Sequence, residues 1–191
     1  MKYFVGLCFL TCSVVPGFGA TISFAPSPGV DTNQGTTHTY GGILATGYKT
    51  SGTLVDMFSK NDGSGEAGLG IANPNGVDNE IIPGTFIQLD ISSFHGDALT
   101  FLMSSVTGTD AFSVFQSNTA KATSGTTCNS GCIAVDTYLD FTATGANGDV
   151  SNVLLNSLTY TQATPEPLSL ALTGSGLLGL FLLRRRKSGS S

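Results

Sequence analysis

Between residues 21 and 164 the chain alternates on a period of two. Ile87, Leu89 and Ile91 are separated by Gln88 and Asp90. Leu99, Phe101 and Met103 flank Thr100 and Leu102, and Phe112 and Val114 flank Ser113. Ile133, Val135, Leu139 and Phe141 share one parity, against Ala134, Asp136, Tyr138 and Asp140. Successive side chains of a strand point to opposite faces, so the pattern predicts strands with one buried face. Residues 21–25, 43–49, 53–59, 68–72 and 153–160 are further strand candidates. Asp62-Gly63, Asn75-Gly76 and Asn147-Gly148 supply turns. Residues 26–37 and 117–131, built from small and polar residues, read as loops. About nine short strands without a helical period predict an all-β fold, a single jelly-roll-like β-sandwich, with a barrel as the weaker alternative. The chain has no Trp, so its core has to draw on Phe.

Both ends break this pattern. Met1-Lys2 gives a positive start, residues 3–15 are largely apolar, and Pro16-Gly17-Phe18-Gly19-Ala20 closes the run with helix breakers and small residues. That is the layout of a secretory signal peptide over residues 1–20, with cleavage after Gly19 or after Ala20. Near the other end, Pro165-Glu166-Pro167 precedes residues 168–183, an uncharged run dominated by Leu and Gly, and then Arg184, Arg185, Arg186 and Lys187. A helix over that run would span about 24 Å, against a bilayer core of about 30 Å. It suits a temporary anchor better than a permanent one. The four cations resist crossing and stay cytoplasmic, which puts everything before Pro165 outside.

The order of Pro-Glu-Pro, Gly-broken Leu run and basic cluster resembles the PEP-CTERM sorting signal of Gram-negative bacteria. The same tail is sometimes named after ice-binding proteins. This chain departs from the pattern in reading Thr164 before the motif and in trailing residues 188–191. The resemblance implies an exosortase, a membrane transpeptidase, as partner, acting near Pro165, Glu166 and Pro167. It also implies transient residence in the inner membrane and a destination at the cell surface or in the extracellular matrix. Exosortase systems accompany exopolysaccharide, a further implied partner. The expected organisation is a signal peptide (1–20), an extracellular β-sandwich (21–161), a sorting signal (162–187) and a short tail (188–191).

Removing the two ends changes the charge. The whole chain carries −5, but residues 21–164 hold only Lys49, Lys60 and Lys121 against twelve acidic side chains, a balance of −9. A body this acidic excludes nucleic acid as a partner bound through its phosphates. Cys128 and Cys132 are its two cysteines, and in an oxidising compartment they read as a disulfide closing a tight turn. Zinc would need two more ligands, and His38 and His95 are both distant in sequence.

One stretch is rich in oxygen donors. Asp62, Glu66, Asn73, Asp78 and Glu80 offer carboxylates and an amide of the kind that calcium takes, without the spacing of an EF-hand. The competing reading is a pair of solvated turns. Gly68-Leu69-Gly70-Ile71, Asp78-Asn79-Glu80-Ile81 and the following strand also resemble the ectodomains of PEP-CTERM proteins. Enzyme motifs are absent: there is no Gly-x-Ser-x-Gly elbow, phosphate loop or zinc-protease helix. The expected function is that of a non-catalytic surface or matrix protein needing no cofactor, with calcium as a structural option. The alternative is a carbohydrate-binding or ice-binding module, with Tyr40, Tyr48, Tyr138 and Tyr160 as candidate contacts. A hydrolase ranks last.

Overall fold

A computed structural model describes residues 19–63, 65–72, 79–107, 110–144 and 152–161, together with residue 175. The chain divides into two units, Phe18–Gln162 and a second made of Met1–Gly17 with Ala163–Ser191. The expected signal segment up to residue 18, the expected Pro165 to Lys187 signal apart from residue 175, the trailing residues 188–191, and Asn73 and Asp78 lie outside the described residues. Among the described residues no helix is long and apolar enough to cross a membrane.

The first unit is a β-sandwich of two antiparallel sheets. Its strands are β1 (Gly19–Ser23), β2 (Thr32–Gly35), β3 (Thr37–Tyr40), β4 (Ile43–Lys49), β5 (Met57–Asn61), β6 (Ala67–Ile71) and β7 (Thr85–Asp90). They continue as β8 (Ala98–Ser104), β9 (Phe112–Ser117), β10 (Thr126–Thr127), β11 (Cys132–Ile133), β12 (Tyr138–Ala143) and β13 (Leu154–Thr161). One sheet runs β11-β8-β13-β6-β5-β2, with β1 added beside β13; the other runs β10-β9-β12-β7-β4-β3. Of the jelly-roll-like expectation, the two-sheet antiparallel sandwich is what is observed.

Alternation places the core between the sheets. Ile87, Leu89 and Ile91 are fully buried there, facing Leu69, Leu155 and Leu158 from the opposite sheet. Leu99 is buried, Phe101 and Met103 pack against it at the margin, and Leu102 is exposed, as the period of two requires. Phe contributes through Phe24, Phe94 and Phe141, but Leu and Ile make up most of the core.

Two expectations need correction. Residues 26–37 are not all loop. β2 and the start of β3 fall in or beside that stretch, at the outer edges of the two sheets. Thr32-Asn33-Gln34 and Thr37-His38-Thr39 carry no apolar alternation because an edge strand packs little and gains from being polar. The second correction concerns Ile133 and Val135. Only Leu139 and Phe141 of that parity are buried, while Ile133 is 48% and Val135 56% exposed. The run is broken, because Ile133 pairs with Ala98 in one sheet and β12 pairs with β7 and β9 in the other.

The ends of the domain meet. Gly19 pairs with Thr161 and Ala20 with Tyr160. Both alternative signal cleavage points therefore fall within β1. β13 is an interior strand, with β8 on one side and β6 and β1 sharing the other.

The two classes of position of the broken run respond differently to truncation. Phe141→Ala is expected to cost about 3–5 kcal/mol in urea unfolding. Val135→Ala is expected to stay within about 0.5 kcal/mol. Equal losses would restore a single buried parity across residues 133–141.

Candidate functional site

Four features carry the unusual chemistry: a buried ion cluster, a buried carboxyl under a loop, the disulfide turn, and a cleft beside that turn.

The ion cluster lies on the outer side of the first sheet. Ser59 opposes Leu69 and faces the core side, so Lys60, opposite Gly68, points the other way. The segment carrying Asn79 and Glu80 lies flat against β6 at this point. A Cβ on Gly70 would stand 2.1 Å from the Asn79 carbonyl oxygen, and one on Gly68 would stand 2.6 Å from that of Leu155. The Gly-Leu-Gly pattern thus leaves space for two other backbones. Lys60 and Glu80 are only 5% and 4% exposed. The Lys60 Nζ lies 3.1 Å from Glu80 Oε1 and 3.1 Å from Glu66 Oε2. Ser105 donates to Glu80 Oε1 at 2.5 Å. Burial opposes the ammonium charge, but the two glutamates outweigh it and hold the Lys60 pKa above its ordinary value.

Of the five residues expected to attract calcium, Glu66 and Glu80 are brought together, and an ammonium stands between them. Asp62 closes the β5–β6 turn, its backbone N–H donating to the Glu66 carbonyl at 3.1 Å. Among the described residues no group of three or more His, Cys, Asp or Glu is arranged to hold a metal.

The buried carboxyl is Asp140, which sequence reasoning placed on a solvated face. Its parity is opposite to the buried Leu139 and Phe141, yet it is fully buried. Residues 118–125 cover it as a strap across the second sheet. The Lys121 backbone N–H donates to Gln88 Oε1 at 3.3 Å, and Lys121 Nζ sits 5.9 Å from the centroid of the Tyr48 ring. Gln88 in turn donates to Asp140 Oδ1 at 2.7 Å, while Asp140 Oδ2 has no hydrogen-bond partner. Burial pushes the Asp140 carboxyl up to about 7, against the pull of the Gln88 amide. Sequence gave no signal for this beyond the length of the 117–131 loop.

Cys128 and Cys132 form the expected disulfide, with Cα atoms 5.5 Å apart. Its position adds something that spacing did not reveal. β10, just before Cys128, pairs with β9 in one sheet, and β11, which begins at Cys132, pairs with β8 in the other. The bond therefore joins the two sheets along one edge. Gln116, 3% exposed, holds the returning chain by donating to the Ile133 carbonyl at 2.8 Å and accepting from the Val135 N–H at 2.9 Å. Asn118 secures the next residues, accepting from the Thr137 N–H at 3.0 Å and donating to Asp136 Oδ1 at 2.6 Å.

Beside this edge is a cleft of about 580 Å³. Phe101, Phe112 and Phe115 line it together with the strap at Thr123-Ser124-Gly125 and the disulfide turn at Asn129-Ser130. Three of the four tyrosines proposed for sugar contact, Tyr40, Tyr48 and Tyr160, pack on other rings. Tyr48 is 7% exposed and stacks on Phe86 at 5.2 Å, Tyr40 packs on Phe24 at 5.0 Å, and Tyr160 leans on Phe94 at 4.4 Å. His38 lies against Tyr40 on β3, and His95 ends the 3₁₀ turn Ser92–Phe94.

No protein-family model, curated protein or solved structure matches the chain.

Lys60→Met is expected to destabilise the domain by about 3–5 kcal/mol, because Glu80 is left buried and unpaired. Denaturant unfolding reads this directly, and a loss below about 1 kcal/mol would show a cluster screened like a surface pair. For Asp140, the folded pKa lies above the unfolded one, so the native state holds the proton more tightly. Stability is then fully present below the unfolded pKa and falls as pH rises through about 7. Unfolding at pH 4.5 and pH 8 should show wild type losing of the order of 2–4 kcal/mol more than Asp140→Asn. Parallel pH profiles would mean that the carboxyl is solvated.

Proposed function

We propose that the chain is an exported β-sandwich domain delivered by a removable PEP-CTERM-type tail. In this reading a signal peptide starts export, and residues 168–183 hold the precursor in the inner membrane as a transmembrane helix. Arg184, Arg185, Arg186 and Lys187 stop transfer. An exosortase-type transpeptidase processes the chain near Pro165, Glu166 and Pro167, and the domain ends at the cell surface or in the extracellular matrix. Its role there is structural, in company with exopolysaccharide or a biofilm, and involves no catalysis.

The observation that best supports the reading is the closure of the domain by its own end strands. β1 pairs along its whole length with residues 157–161 of β13, and β13 ends at Thr161, four residues before Pro165. A tail cut near Pro165 would leave every strand of the sandwich intact. The Cys128–Cys132 disulfide agrees with an oxidising destination. The reading needs no cofactor. A structural calcium ion would have to rely on Asp62, Asn73 and Asp78, since Lys60 engages both glutamates.

Intact mass of the protein recovered from cells and from medium tests this. The cell-surface or medium fraction should lack the signal peptide and the residues after the Pro-Glu-Pro region. A full-length mass in both fractions would contradict it.

A further inference from the structure

The cleft at the disulfide edge plays no part in the sorting reading. We infer that it binds a neutral oligosaccharide chain. Three observations select that class of ligand.

The first is charge. Among the described residues, none of the fourteen that line the cleft is charged, although residues 21–164 carry twelve acidic side chains. A charged ligand would leave water without a counter-charge to meet it. The surrounding acidic surface would also repel a polyanion.

The second is the mix of polar and aromatic groups. Eight of the fourteen lining residues carry a hydroxyl or an amide, among them Ser113, Thr127, Asn129 and Ser130. Such groups both donate and accept, as sugar hydroxyls do. The aromatic lining comes from Phe101, Phe112 and Phe115. Phe101 and Phe112 stand nearly perpendicular, at 80° with centroids 6.3 Å apart. A pyranose has the matching character, with an apolar C–H face and a polar rim. A wholly apolar ligand would strip water from the hydroxyls without replacing their hydrogen bonds.

The third is construction. The cleft has a size typical of ligand sites. One wall is the strap that covers Asp140, and another is the turn pinned by Cys128–Cys132. The wall positions are thus fixed before a ligand arrives, which lowers the ordering cost of binding.

Isothermal titration of the purified full chain in mild detergent tests the inference. The probes are cellohexaose, laminarihexaose and maltohexaose, with an acidic oligoguluronate of similar length as control. At least one neutral hexasaccharide should bind saturably, and the acidic one should not. Phe112→Ala and Ser130→Arg should each weaken binding at least tenfold. Ser130 is exposed, so that variant should keep the wild-type unfolding midpoint. Absence of saturable binding to all three neutral probes would overturn the inference. So would binding that survives both variants, or equal binding of the acidic probe. Because binding is read in solution, a negative result leaves the sorting proposal standing.

Discussion

The covalent bond between Cys128 and Cys132 holds together the part of the sandwich where packing alone is weakest. β10 and β11 have two residues each, too few to hold an edge by ladder hydrogen bonds. The bond closes a short loop, so its effect on unfolded-chain entropy is only about 2 kcal/mol. Its larger effect is geometric. It fixes the end of one sheet to the end of the other, and from that point the chain can be gripped by Gln116 and Asn118. The cleft wall, the return into β12 and the landing of the strap all follow from this one tie.

Away from that edge, the sandwich is unusual in what it does with its outer faces. An antiparallel sandwich ordinarily leaves them to water. Here the Asn79-Glu80 segment lies over one sheet and residues 118–125 over the other. Each cover buries a charge-bearing group, Lys60 in one case and Asp140 in the other. The two groups are handled differently. Lys60 has two carboxylates and stays charged. Asp140 has one amide partner and an unmatched oxygen, so burial favours its neutral form. Polar layers of this kind add little net stability, but they penalise any register in which their partners are lost.

Much of the architecture was legible as alternation. β4 occupies residues 43–49 as read from sequence, Ile87, Leu89 and Ile91 are buried on one parity, and Leu99 is buried with Phe101 and Met103 at the core margin. What alternation missed was set by contacts distant in sequence. β2 and β3 are polar because they are edges, and nothing local distinguishes a polar edge strand from a loop. Ile133 and Val135 match the parity of Leu139, but the chain passes from one sheet to the other between them. The glutamates at 66 and 80 looked like cation ligands, and a cation does sit between them. That cation is Lys60, whose place depends on the strand register and on the glycines at 68 and 70. Asp140 was invisible as a site because its burial comes from a strap attached elsewhere. The tail motif was legible as a resemblance and lies outside the described residues, so its role rests on the sequence.

Thiol labelling with mass detection, on protein taken from producing cells without reductant, tests the central claim that this domain is an exported, disulfide-tied sandwich. The account predicts no label before reduction and two after it, on Cys128 and Cys132, because Cys8 and Cys12 leave with the signal peptide. Ready labelling of Cys128 and Cys132 before reduction would contradict the tie between the sheets. Retention of Cys8 and Cys12 in the recovered chain would contradict processing on export.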